Sequence, residues 1–348
     1  MTGERGARRP GRALTALLCA VTAAGLYGCS DSGPPEPSPV PTTAPATTSP
    51  PATTPAPATT SAAPTGRSPF TGLPARPAPV LAVKLDNVQA ARPHTGLGAA
   101  DLVYVEQVEG GVTRLLVVYS SRLPDLTGPV RSARESDIAL LGDFGRPALA
   151  YSGAQSALNP LLKAAPLDLV TEGSAPQAFR RSADRPAPHN LYLRPARALA
   201  AAPGADDARD IGFRFGPAPA GGTTVESSTV RYPAARYTFT WSAADRAWRV
   251  AMDGREARAT DTGPVRPATV VVQRVTVRPS RFHDRFGAVS PYSETVGSGT
   301  ALVLRDGRAH EARWSRPTAA SGTTFTTPSG APLAFAPGQV WVLLAPRA

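Results

Sequence analysis

Between Asp31 and Ser68 the chain is almost entirely proline, threonine, serine and alanine. The stretch has no aromatic residue and too little apolar surface to offset the entropy of ordering a backbone. Any folded core must therefore be built from residues beyond it. Many of the 39 prolines among the 348 residues cluster here, so the folding part is shorter than the length suggests. The composition predicts a disordered stalk, partly polyproline II, reaching on the order of 100 Å at about 3.1 Å per residue.

What precedes the stalk points to export. Arg5, Arg8, Arg9 and Arg12 stand against only Glu4, and an apolar run follows from Ala13 to Gly28. That run is short of the ~20 residues a membrane-spanning helix needs. A basic segment followed by a short apolar one that ends in small residues reads as a cleavable secretory signal over residues 1–28. The run closes Leu26-Tyr27-Gly28-Cys29, which resembles a bacterial lipobox. Leu26 and Gly28 fit; Tyr27 departs from the small or β-branched residue usual there. Cys29 is the expected lipidation site, and residues 29–68 form the lipidated cysteine and stalk. The other reading is a plain secretory signal with a chance cysteine. Cys19 lies in the segment to be removed, so the mature chain would keep no thiol for a disulfide, a metal or a nucleophile. Two acyl chains, at about 0.8 kcal/mol per buried methylene, suffice to hold a domain on the extracytoplasmic face of the cell membrane.

The formal charge is +11, and Lys84 and Lys163 are the only lysines. Arginines, together with alanine, proline and glycine, carry a skew typical of high-GC genomes. Beyond the N-terminus the arginines are scattered, whereas nucleic-acid binders gather charge on one face or run. No nucleic-acid partner is expected.

Order begins near Phe70. Val80–Leu85, Leu102–Val105, Val112–Tyr119 and Ala148–Tyr151 read as strands. Helices are expected over Glu135–Leu141, Ala154–Ala164 with Pro160 kinking or breaking it, and Pro195–Ala201. The Gly/Pro/Asp-rich segment from Ala202 to Thr224 reads as a linker. After it, Tyr237, Phe239 and Trp241 alternate, then Trp248, Val250 and Met252, as in a hairpin with one apolar face. Ala268–Val277 and Gln339–Ala345 read as strands. Ala301–Trp314 reads as a hairpin turning at Asp306-Gly307. The fold class expected is α+β: a mixed α/β N-terminal domain over 69–205, then a mostly-β C-terminal domain over 225–348.

The chain has no Gly-x-Ser-x-Gly elbow, no phosphate-binding P-loop and no His-Glu-x-x-His, and its four histidines are far apart in sequence. No local metal site and no cofactor are expected. Polar residues do cluster in the first domain. Glu106, Glu109 and Arg114 surround Gly110-Gly111; two carboxylates whose pKa values are split by burial can act as acid and base. The alternative is a tight turn flanked by solvated charges. Arg131, Ser132 and Arg134 precede the first helix, where guanidinium groups and helix-start N–H groups suit a phosphate or carboxylate. The alternative is a helix cap with surface arginines. His189 and Asn190, beside Tyr192, form a third candidate for binding or proton relay, against an ordinary structural histidine. Tyr151 to Gln155 ends a buried strand, a common place for a ligand crevice. The expected site gathers Arg131, Ser132, Arg134 and His189 in space, with Glu109 and Arg114 nearby.

Six segments together resemble the YerB-like bacterial lipoprotein family: Phe70 to Pro74, Ala90 to Pro93, Glu109 to Arg114, Gly128 to Arg134, Tyr151 to Gln155, and Ala187 to Tyr192. A counterpart of the family's C-terminal domain is carried by Val270 to Gln273, Gly297 to Gly299, Arg305 to Gly307, Trp314-Ser315 and Pro337 to Trp341. Family members often have a Gly-x-Pro-His stretch before the valine-rich strand, where this chain reads Gly254 to Arg258. The functional weight therefore falls on the first domain. The resemblance implies a two-domain protein of the envelope and supplies no reaction. Three functions stay open. The first is an anchored protein that binds an anionic cell-wall polymer or wall-synthesis machinery. The second is a hydrolase or transferase on an anionic glycan or phosphodiester, using Glu106, Glu109 or His189. The third is a structural partner of another envelope protein with no small ligand.

Overall fold

The computed structural model describes residues 66–347; the expected signal segment, Cys29 and the stalk up to Thr65 lie outside the described residues. The frame is an eleven-stranded mixed sheet that draws on both halves of the chain. From the N-terminal half come β1 (Leu81–Asp86), β2 (Leu102–Gln107), β3 (Thr113–Tyr119), β4 (Ala148–Ala150) and β5 (Asp168–Val170). Helix α1 (Glu135–Leu140) precedes β4, and α2 (Asn159–Ala164) precedes β5. Next come a two-stranded hairpin of β6 (Phe179–Arg181) and β7 (Leu191–Leu193), and α3 (Pro195–Ala200).

The C-terminal half opens with β8 (Thr223–Thr224). A small sheet follows, made by β9 (Ser227–Tyr232), β10 (Ala235–Ser242), β11 (Ala247–Met252) and Arg255–Glu256. The chain returns to the large sheet with β12 (Thr269–Val275). It then leaves for a separate hairpin of β13 (Val277–His283) and β14 (Val289–Ser293). The large sheet is completed by β15 (Gly297–Arg305), β16 (Arg308–Arg316), β17 (Thr324–Thr326) and β18 (Val340–Pro346). Its order is β8-β16-β15-β12-β18-β2-β3-β1-β4-β5, with β17 paired to β16.

The last strand is the hinge of the topology. β18 runs parallel to β12 of its own half and parallel to β2 of the other, with Val342 opposite both Val271 and Tyr104. Both faces of the sheet are covered, which is why its central strands read as near-continuous apolar runs rather than alternating ones. One face carries Val83, Leu85, Val105, Val117, Leu343 and Trp341, against Tyr237, Phe239 and Trp248 of the small sheet. Trp341 meets the Tyr237 and Phe239 rings edge-on at 6.4 and 6.1 Å. The opposite face carries Ala82, Tyr104, Leu116, Val271 and Val342 against Phe70, Phe144 of the α1 end and Leu162 of α2. Each fully buried Val, Leu or Phe among them contributes roughly 1.5–3 kcal/mol.

The local elements follow their chemistry, with some departures from the expected pattern. Asp306 (φ 50°) and Gly307 (φ 71°) both take left-handed backbone in the β15–β16 turn, as an Asp-Gly hairpin requires. Pro160 does not break its helix. It lies in the first turn of α2, where a missing N–H costs nothing, and a short 3-10 turn over Ser156–Leu158 leads into it. The Gly/Pro/Asp-rich segment 202–224 packs on the C-terminal half: Ile211 and Phe213 are buried, and Phe213 sits 5.1 Å from Phe335. The β13–β14 hairpin carries Pro279 opposite Pro291, and prolines at such positions mask a strand in the sequence.

Candidate functional site

The large sheet ends in charge where β1, β2 and β3 meet. Asp86, Arg114 and Glu106 are register partners across β1, β3 and β2, so they share one face in one row. Lys84, two residues before Asp86, points the same way. It is fully buried, and its Nζ donates to Glu106 Oε1 at 2.7 Å and to Asp137 Oδ1 at 2.6 Å. Burial, with the adjacent Asp137 carboxylate, raises the Glu106 pKa against the pull of Lys84. Asp137, from α1, turns its other oxygen back to accept the Arg134 N–H at 2.6 Å. The helix start is thus capped by its own side chain. α1 has only six residues, so the N–H groups expected to hold an anion do not form a free cradle.

Residues 128–133 run beside the end of β1. Asp86 N donates to Pro129 O, Arg131 N to Lys84 O, and Val130 N to Leu191 O of β7. On the other side Ser152 N donates to Arg131 O, and Ala133 N to Gly153 O just past β4. This clamp fixes where Arg131, Ser132 and Arg134 emerge. Asp86 then brings two of the expected residues together. Its Oδ2 accepts from His189 Nδ1 at 2.8 Å, which fixes the Nδ1–H tautomer because a carboxylate only accepts. The same oxygen lies 3.1 Å from Arg131 Nε, a close ion contact without a directed hydrogen bond.

Arg134 is engaged differently. Its Nε and one terminal nitrogen donate to the two Glu109 oxygens, each at 2.6 Å. Glu109 is presented by the Glu109–Gly111 turn, in which Gly111 (φ 73°) packs so close to Pro233 that a Cβ would come within 2.6 Å of it. Ser290, on β14, also donates to Glu109. Burial alone would raise the Glu109 carboxyl, but the Arg134 hydrogen bonds and charge and the Ser290 bond outweigh it and hold it down at about 2. Arg114 donates to the Ser132 carbonyl at 2.8 Å and forms no ion pair with a carboxylate among the described residues. Burial, then the nearby Arg134 and Arg131 charges, push its pKa down to about 10, so it stays charged at neutral pH.

Arg114, Arg131, Ser132 and Arg134 line one cleft of about 520 Å³. Its opposite wall includes Phe282, His283, Arg285 and Phe286 from β13 and the β13–β14 turn. Not every expected residue reaches it. His189 joins through Asp86. Glu106 lies beneath, buried against Lys84. Asn190 bonds Arg181 and the Ser182 carbonyl in the β6–β7 loop and takes no part in lining the cleft. A larger, shallow groove of about 910 Å³ lies over β15, β16 and β17, but its charged groups are Arg274, Glu311 and Arg313, which do not converge on one point as ion partners. Asp86, Lys84, Asp137 and the β13–β14 turn escaped the sequence reading. The available signal was a lysine and an aspartate inside an otherwise apolar strand. Among the described residues no group of three or more His, Cys, Asp or Glu is arranged to hold a metal, and no helix is long and apolar enough to cross a membrane.

Comparison with known proteins bears on the whole described region. The chain is similar over 85 residues, at 40% identity, to "Putative lipoprotein YerB" of Bacillus subtilis strain 168; the aligned stretch is 22% of this chain and 25% of that relative, about a quarter of its length. The fold is similar to the crystal structure of YerB protein from Bacillus subtilis, with a TM-score of 0.68 at 22% identity, covering 80% of this chain and 95% of that one. Residues 65–209 match the family model described as protein of unknown function (DUF3048), N-terminal domain, and residues 228–342 match its C-terminal domain. With both models matched in order, the chain belongs to the DUF3048 family, the family of YerB.

Proposed function

We propose that the protein is exported, held on the extracytoplasmic face of the cell membrane by lipid on Cys29, and binds an anionic group of a cell-envelope component in the arginine cleft. The name of the Bacillus relative supports the anchor. One observation carries the binding role: Arg114, Arg131 and Arg134 crowd a single cleft, and Arg114 has no carboxylate of its own. Gathering like charges in a partly buried place is costly, and a phosphate or carboxylate between Arg114 and Arg131 relieves that cost through charge-assisted hydrogen bonds. Glu109 occupies Arg134, so the open donors belong to the other two.

The test is calorimetric titration with inorganic phosphate and with a phosphodiester wall fragment. Arg131→Ala should weaken binding by ~1.5–3 kcal/mol, the worth of a charge-assisted hydrogen bond, with little change in melting temperature. No binding to either probe by the unmodified chain would overturn the reading. A hydrolase or transferase on the same chemistry is the second reading, and what favours it is the Asp86–His189 bond, which leaves Nε2 as the proton-accepting atom. Turnover of the wall fragment, lost in His189→Gln, would move the assignment there.

A further inference from the structure

Charge is only part of what lines the arginine cleft. The turn between β13 and β14 is tied over it at several points. Ser280 Oγ donates to Glu135 Oε2 at 2.5 Å, Ser290 bonds Glu109, and Gln155 Nε2 meets His283 Nε2 at 3.2 Å. These contacts fix an outer wall whose chemistry differs from the floor. Ala154 lines the cleft beside the core side chains Leu158 and Phe282, which are only 1% and 5% exposed, while Phe286 lines it as an open ring. Phe286 is 80% exposed, the most exposed of the large apolar side chains described, and Val289, the first residue of β14, is 56% exposed. The Arg285 guanidinium lies 4.6 Å over the Phe286 ring, so a cation and an apolar plane are presented side by side. A single exposed apolar residue is ordinary. Here it borders a cleft whose floor is cationic.

Resting on the anion-binding reading above, we infer that the ligand is an amphiphilic phosphate: its phosphate sits against Arg114 and Arg131, and its hydrocarbon chain leaves the cleft across the Phe286 ring. A purely polar anion would satisfy the arginines and leave Phe286 in water. A hydrocarbon chain covers it. Covering on the order of 60 Å² of apolar surface is worth about a tenfold gain in affinity.

The experiment uses the full chain carrying Cys29→Ala, which keeps the protein's own lipid out of the titration. The probes are decyl phosphate below its micelle concentration, inorganic phosphate, and decyl maltoside. Decyl phosphate should bind about tenfold more tightly than inorganic phosphate. Phe286→Ser should bring that ratio close to one, while Leu73→Ser, at an exposed site away from the cleft, should keep it. Equal binding of the two phosphates would overturn this inference and leave the anion site standing. Equal binding of decyl maltoside and decyl phosphate would also overturn it, because the arginines would then contribute nothing. Binding of neither phosphate would take the anion site down as well.

Discussion

Replacing Lys84 by methionine tests the charged row beneath the cleft. In the native protein three ionisable side chains meet out of water: Lys84 at 0% side-chain exposure, with Glu106 at 2% and Asp137 at 0%. Methionine fills nearly the same volume but leaves two buried carboxylates facing each other. Removing one partner from a buried ion cluster costs about 3–5 kcal/mol, because the remaining charge is uncompensated. The loss should depend on pH. Burial and Asp137 already raise Glu106, and Lys84 is what opposes them. Without Lys84 the folded-state pKa of Glu106 rises further above its unfolded value, so the folded state holds more protons than the unfolded one. Stability then falls as pH rises toward the folded value and is regained as pH drops toward about 4.3, the unfolded carboxyl range. Urea unfolding at pH 8 and pH 5.5 should show the larger loss at pH 8. Adding Glu106→Gln to Lys84→Met should return part of the stability at pH 8. A loss below ~1 kcal/mol, or one of equal size at both pH values, would refute the argument that Lys84 opposes the cost of burying the two carboxyl groups.

Glu109→Gln removes the bidentate partner of Arg134 and one negative charge from the cleft edge. Unfolding free energy should fall by roughly 1.5–3 kcal/mol, while inorganic phosphate binds several-fold more tightly in the same titration; weaker binding would show that Glu109 organises the site rather than competing for it. Because Arg134 and Ser290 outweigh burial and hold the Glu109 carboxyl at about 2, its stabilisation is present above the unfolded carboxyl range and lost as pH falls toward 2, so the variant should show a flatter acid-unfolding limb. Cys29→Ala should move the expressed protein from the detergent phase to the aqueous phase on phase partitioning; unchanged partitioning would refute the proposed lipid anchoring.

Much of the sheet was legible because it is buried on both faces. A run such as Val112 to Tyr119 has no other comfortable place in a protein, and its β-branched residues suit a pleated surface. The Asp306-Gly307 turn was legible because its chemistry is local: both central residues need left-handed backbone, and the dipeptide announces it. Partnership was not legible. Gln339 to Ala345 reads as a strand from composition, but nothing in those residues says that β18 lies between β12 and β2. That placement depends on two parallel pairings with distant segments, and parallel pairing leaves no turn signature. The β13–β14 hairpin was hidden for the opposite reason, since Pro279 and Pro291 read as breaks until they are seen opposite each other.

The same distinction governs the cleft. Arg131, Ser132 and Arg134 stood out because they are adjacent in sequence, and His189 because histidines are few. What joins Arg131 to His189 is Asp86, which follows the apolar run Val80–Leu85. Yet Asp86 and Lys84 lie on one face of β1, and neither can be solvated there without unpicking the sheet. A lysine and an aspartate in an apolar strand must each find a partner, and the partners have to come from other segments. Lys84 takes Glu106 and Asp137; Asp86 takes Arg131 and His189. Arg114, in the same row, is left without a carboxylate because its two register neighbours are committed elsewhere. The unmatched guanidinium is therefore a consequence of how the row is paired, and it sits at the one place where the row opens to the cleft. On the proposed reading, that guanidinium is where an anion from outside the chain sits.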